Sequence, residues 1–185
     1  MAVAYGVPSK NRVPSKNELP DKINNFNVYD GKIKLVGVAS EITLPSFEPL
    51  TDTLNVAGMA GEIESEVVGS FGSMKMEIPF CNISADFYEF AASTNPIVIR
   101  GSMEVFDIES QSKQYRPVVV TVKGRTMNIN SGVLKKGGKG EPTITKEITY
   151  IKISIDGKVQ LELDKMNSIF NMGGKDVLAT VKNQI

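Results

Sequence analysis

Histidine and tryptophan are missing altogether from this chain, cysteine occurs once, and neither sign of charge is in excess. Without histidine there is no usual general base, no imidazole metal ligand and no Ser-His or Cys-His couple. Cys81 alone excludes an internal disulfide and any multi-cysteine metal site, and leaves either a buried or half-buried thiol or a reactive one. Lysine plus arginine number 21 and aspartate plus glutamate number 21, so no global field holds nucleic acid or an anionic membrane, and any electrostatic role is local. No apolar run reaches the roughly 18 residues of a membrane helix. The opening MAVAYGVPSKNRVPSK lacks the apolar stretch of a signal peptide. The expectation is a chain that folds in a cytoplasm, with no stable membrane association.

What is present is β patterning in a chain long enough for one domain with a real core. Residues 1–22 carry the segment VPSKN twice, at Val7–Asn11 and Val13–Asn17, and proline there favours extended backbone without an apolar face. They read as an extended N-terminal arm ahead of a single domain over 23–185. An Asp30-Gly31 turn separates a short strand from a longer one expected over Lys32–Leu44. About fifteen residues of irregular connection follow, then two extended runs, EIESEVVGS and SMKMEIPF, on the first of which Glu62, Glu64 and Glu66 share a face. The one helix expected is SADFYEFAAS: Ser84 caps it, Asp86 suits its positive end, and Phe87, Phe90 and Ala91 form a face that packs on a sheet.

The clearest hairpin runs from Pro96 to Ile129. Ile97, Ile99, Met103 and Val105 alternate with Val98, Arg100, Ser102 and Glu104, and Val118, Val120 and Val122 with Val119, Thr121, Lys123 and Arg125. A flexible basic loop, NSGVLKKGGKGEP, leads to a last hairpin turning at Asp156-Gly157, and the tail reads as a short helical turn. The fold class is all-β, an antiparallel β-sandwich or barrel with one short flanking α-helix.

Chemistry is scarce. A nucleotide-binding loop starting at Gly132 requires lysine where Gly138 stands, and a strand opened by Pro142 follows instead of a helix. The Asn82–Ser84 sequon is spent on the helix cap. Glu62, Glu64 and Glu66 lie two apart on one strand and do not converge on an ion without further ligands. No cofactor, metal or catalytic set emerges, and the expectation is a protein that is not an enzyme. Long two-faced strands with open edges are assembly devices once paired with a copy of themselves.

In that light the segments YDGKIKLVGVASEITLP, VAGMAGEIE, PIVIRGS, VTVKGR and ITYIKISIDGKVQLELDKMNSIFNMGGKDVL matter as an ordered set. In this order and spacing the chain resembles the major tail tube protein family of contractile-tailed phages and R-type bacteriocins over roughly residues 23–180. The resemblance implies a structural protein that closes into hexameric rings with a continuous inner β-barrel. Rings stack into a hollow tube that a contracting sheath drives through a bacterial envelope, conducting DNA or opening a channel. It implies a tail sheath protein, baseplate and tape-measure proteins as partners, transient passage of DNA, and residence in a virion tail or bacteriocin particle assembled in the host cytoplasm.

It also implies an axial clasp in the long early connection, with Pro45 and Pro49 holding it extended and Leu50, Leu54, Val56 and Met59 as anchors; a loop folded back on its own protomer is the plainer alternative. Lumen candidates are Glu62, Glu64, Glu66, Arg100, Ser102, Glu104, Thr121, Lys123 and Arg125, which as residues read equally as solvent-facing or intersubunit charges. Lys135, Lys136 and Lys139 are a candidate sheath contact or a bare loop. The rival from another class is a monomeric β-sandwich binding module for carbohydrate or peptide, which calls for clustered aromatics where this chain scatters its five tyrosines. A carboxylate hydrolase lacks a visible acid and base pair.

Overall fold

A computed structural model describes residues 18–55 and 60–184. Strands β1 (Glu18–Asp30), β2 (Ile33–Lys34), β3 (Pro49–Leu54), β4 (Ile63–Phe71) and β5 (Lys75–Pro79) precede helix α1 (Ala85–Ala92). Strands β6 (Ile97–Asp107), β7 (Ser112–Asn130), β8 (Thr143–Ile155), β9 (Lys158–Asp164), β10 (Ile169–Met172) and β11 (Lys175–Asp176) follow, with α2 (Ala179–Lys182) last. The fold is mainly β and antiparallel with a short helix, as the alternation predicts.

The main sheet runs β11-β10-β9-β8-β7-β6-β1-β2, and β5 adds to the first half of β8 while β9 takes the second half. Residues 35–43 cross back from β2 to β5: Ala39 N donates to Pro79 O, Cys81 N to Gly37 O and Thr43 N to Glu77 O. The sheet therefore curls until its two sides meet. The side chains that alternate inward, among them Ile97, Ile99, Val120, Val122, Ile148 and Ile151, meet Met74, Met76, Ile78 and Phe80 in one core. Helix α1 supplies Phe87, Phe90 and Ala91 to it, with the Phe80 and Phe87 rings edge-to-face at 5.2 Å. Ser84 Oγ accepts from Phe87 N at 3.2 Å, which is the cap the sequence predicts.

Three expectations need correction. The strand over Lys32–Leu44 shrinks to β2, because Gly37 takes φ +86 and turns the chain away from β1 toward β5. The tail holds more than a helical turn: Gly173 and Gly174, both at positive φ, make a tight hairpin between β10 and β11. Residues 18–22, read as part of the arm, belong to β1 and pair with β6 from Glu18↔Asp107 onward. Their entry is fixed by Arg116, which donates to both carboxylate oxygens of Glu18 and, at 2.8 Å, to Asp156 in the β8–β9 turn. Both VPSKN copies lie outside the described residues.

Candidate functional site

Strand register decides which sequence-selected residues meet. Arg100, Ser102 and Glu104 on β6 alternate away from the core, and Thr121, Lys123 and Arg125 on β7 share that outer face through the pairs Thr121↔Val98, Lys123↔Tyr150 and Arg125↔Glu147. A bulge opposite Lys123 and Gly124 places its extra residue on β8, so the β7 alternation is unbroken. All six lie on one broad face, which β1 extends with Asn25, Asn27 and Tyr29.

Four cations on or beside this face rest on a ring or a carboxylate of the same chain. The Arg100 guanidinium lies 5.4 Å from the Tyr29 ring centroid and the Lys123 ammonium 5.5 Å from that of Tyr150. Lys113 meets Glu104 at 2.6 Å and Lys152 meets Glu162 at 3.6 Å. The hydrogen bond from Lys113 holds the Glu104 carboxyl below its ordinary range, and burial, with a 3.0 Å hydrogen bond to Glu162, pushes the Tyr150 hydroxyl up to about 12. Arg125 is exposed, and its cross-strand neighbour Glu147 accepts from Ser73 Oγ and Met74 N.

Glu62, Glu64 and Glu66 are not on this face. The connection read as irregular contains β3, which pairs with β4 as a two-stranded ribbon: Leu54↔Ile63, Asp52↔Ser65, Thr53↔Glu64 and Thr51↔Glu66. Cross-strand partners share a side, so one side carries Leu54 and Ile63 and the other Thr51, Thr53, Glu64 and Glu66. Glu62 lies just outside β4 and accepts from Asn55 Nδ2 at 3.1 Å. Leu50, Leu54, Ile63 and Val67 all stand exposed. At its base the ribbon is tied down by Phe71 edge-on to Phe170 and by Leu178, whose methyls fill the space a side chain at Gly69 would need. Pro45 is buried against the body and Pro49 opens β3, where its missing donor costs nothing. Val56 and Met59 lie outside the described residues.

The lysine loop, expected as a flexible basic loop, is hydrogen-bonded across its base. Val133 N donates to Gly140 O at 2.9 Å, Gly140 N to Cys81 O at 3.2 Å and Gly132 N to Asn130 Oδ1 at 2.9 Å, while Tyr88 and Ser131 share a hydroxyl hydrogen bond at 3.2 Å. A Cβ on Gly132 would come within 2.0 Å of Gly140 O at φ +68. Only glycine permits that approach, so Gly132→Ala is expected to destabilise the fold by about 1–3 kcal/mol, read by urea unfolding. From this base Lys135, Lys136 and Lys139 project into solvent together with Val133 and Leu134.

These features define a β protein whose distinctive surfaces are a polar sheet face, a projecting ribbon and a basic tip; among the described residues, no cluster of three or more His, Cys, Asp or Glu is arranged to hold a metal. The family model for phage tail tube protein FII matches residues 20–185. Among curated proteins, the tail tube protein of Escherichia phage P2 is 27% identical over 169 residues, covering 89% of this chain and 96% of that one. The major tail tube protein of Serratia phage KSP20 is 23% identical over 157 residues, covering 84% and 90%. A chain from the cryo-EM structure of the PVC sheath/tube terminator of an extracellular contractile injection system in the extended state superposes with a TM-score of 0.50 at 11% identity. It covers 73% of this chain and 96% of its own length, a likeness of fold. The chain belongs to the phage tail tube protein FII family.

Proposed function

We propose that this chain builds the inner tube of a contractile tail: copies close side by side into a hexameric ring, rings stack, and sheath contraction drives the rigid tube through a bacterial envelope. The observation that supports ring closure best is the outer edge of β1. One side of β1 is bonded to β6 along its length, but β2 and Leu35 cover the other only from Val28 to Asp30, which leaves an edge from Glu18 to Asn27 among the described residues. Such an edge invites another strand, and a side contact that closes after a fixed number of copies removes it without aggregation.

In this reading Arg100, Ser102, Glu104, Thr121, Lys123 and Arg125 line the lumen. Polyanions stick to uncompensated rows of lysine and arginine, and here Lys113 and Lys152 are paired with Glu104 and Glu162, while Arg100 and Lys123 keep their charge over the Tyr29 and Tyr150 rings and are interspersed with uncharged Ser102 and Thr121. Such a lining lets DNA slide, or serves equally as an open channel. The β3–β4 ribbon, with Leu50, Leu54 and the exposed β4 residues, is the axial clasp toward the next ring, and the Glu62, Glu64 and Glu66 set goes with it. Sheath, baseplate and tape-measure proteins are the remaining partners, and the particle is a virion tail or bacteriocin assembled in the host cytoplasm. The reaction is mechanical, with no bond chemistry assigned to any side chain.

Negative-stain electron microscopy of the purified protein, concentrated stepwise with light scattering on the same samples, tests this. Hollow filaments of uniform width are expected. A chain that stays monomeric even with sheath and baseplate proteins present overturns the tube and favours the monomeric binding module.

A further inference from the structure

Charge is segregated along this neutral chain. Every charged residue from Leu35 to Met74 is acidic, namely Glu41, Glu48, Asp52, Glu62, Glu64 and Glu66, whereas between Arg125 and Glu141 only Lys135, Lys136 and Lys139 are charged. Among the described residues, the ion pairs found involve neither Glu62, Glu64 and Glu66 nor the three lysines. Each set also sits beside an exposed apolar side chain: Val68, two residues beyond Glu66 on the same side of β4, is about half exposed, and Leu134 is 89% exposed at the loop tip. Complementary charge flanking apolar anchors is the composition of two halves of one contact.

Their placement gives the contact a direction. The ribbon runs into β5 through Gly72–Met74, and β5 ends at Pro79, two residues before Cys81, whose carbonyl accepts from Gly140 at the base of the lysine loop. The acidic ribbon and the basic tip thus join opposite ends of one strand. A surface at one end that fits a surface at the other makes a heterologous contact, which propagates as a filament when it does not close. The glycine-packed base holds the tip ready before contact and spares the ordering cost of a loose loop.

We propose that the basic loop of one copy, with Leu134 as anchor and Lys135, Lys136 and Lys139 around it, docks on the acidic β3–β4 ribbon of a second copy in the adjoining ring. The proposal rests on the tube reading above and names the acceptor of its axial clasp. It gives the lysine loop to the neighbouring ring in place of the sheath.

Reciprocal charge swaps test it under conditions in which the wild-type chain elongates. Full-length Lys135→Glu/Lys136→Glu/Lys139→Glu and Glu62→Lys/Glu64→Lys/Glu66→Lys proteins are each checked for native circular dichroism and then concentrated for electron microscopy. Each alone is expected to raise the critical concentration for filaments by at least about tenfold. An equimolar mixture of the two, and a single chain carrying all six changes, regain filaments at close to the wild-type concentration because the charges are again opposite. Filaments from either triple variant at the wild-type concentration overturn the proposal, as does a mixture that fails to recover. Normal bare tubes from the lysine variant that purified sheath protein does not decorate make the loop a sheath contact, which overturns the proposal and leaves the tube reading intact. A wild-type chain that never elongates removes the tube reading itself.

Discussion

Leu54→Asp combined with Ile63→Asp is expected to leave the single chain folded and, with the ribbon as the proposed axial clasp, to remove filaments at any concentration where the wild type forms them. The two side chains face each other across the ribbon and stand about half exposed, so carboxylates there cost the isolated chain little, and its Tm is expected to move by less than about 3 °C. In the proposed contact with a neighbouring ring the same change would withdraw two apolar anchors, each contributing on the order of 1.5–3 kcal/mol when fully buried, and put two charges in their place. In the proposed tube every protomer around a ring joint would carry the loss, so the critical concentration is expected to rise by at least about 100-fold, read by light scattering and microscopy. A ribbon that folds onto its own protomer gives the opposite result: a clear drop in Tm with assembly intact. Deleting Thr51–Asn55 is a poorer test, because those residues supply most of β3 and their removal strips the register from β4 as well as the anchors.

That ribbon also shows where sequence ran short of structure. The α1 helix and the β6–β7 hairpin were legible because one side of each is buried, and burial writes a period into the residues: Phe87, Phe90 and Ala91 on one, Ile97, Ile99, Val120 and Val122 on the other. The Asp156-Gly157 turn was legible because both residues take positive φ. Strand β3 has solvent on both sides in the single chain, so PLTDTL carries no core signal, and two prolines nearby argued for a loop. The base of the lysine loop is closed by Gly132 lying against the Gly140 carbonyl and by the Gly140 N–H bonding Cys81 O, neither of which a strand or helix period records. Among the lumen candidates, the six β6 and β7 residues came together because alternation fixes their side; the three glutamates parted from them because alternation says nothing about which sheet a strand joins.

Alternation places Lys146 inward: in ITKEI it shares the buried side with Ile144 and Ile148. It is 1% exposed, its ammonium donating to the carbonyls of Phe90 at 3.2 Å and Ser93 at 2.9 Å and lying 4.7 Å from the Phe90 ring centroid. Helix α1 has no basic residue in its own last turn, so a lysine from the sheet supplies the cation its C-terminal end favours. Lys146→Ala removes that donor and leaves a cavity among Met76, Phe90 and Ile148, for an expected loss of about 3–5 kcal/mol in urea unfolding. Burial lowers the ammonium's pKa below its ordinary 10.5, with Asp30 opposing. Between the lowered value and 10.5 the folded chain therefore binds fewer protons than the unfolded one, and the neutral amine still has two hydrogens for its two carbonyls. Wild-type stability should accordingly rise with pH through that window and level off above it, whereas Lys146→Met has no such dependence. Urea titrations of both proteins from neutral pH to just above pH 10.5 are expected to show the gap between them widening; a gap that stays flat or narrows would mean that Asp30 offsets the burial. Because Tyr88 on the same helix bonds Ser131 at the root of the lysine loop, a loosened α1 is also expected to loosen the basic tip.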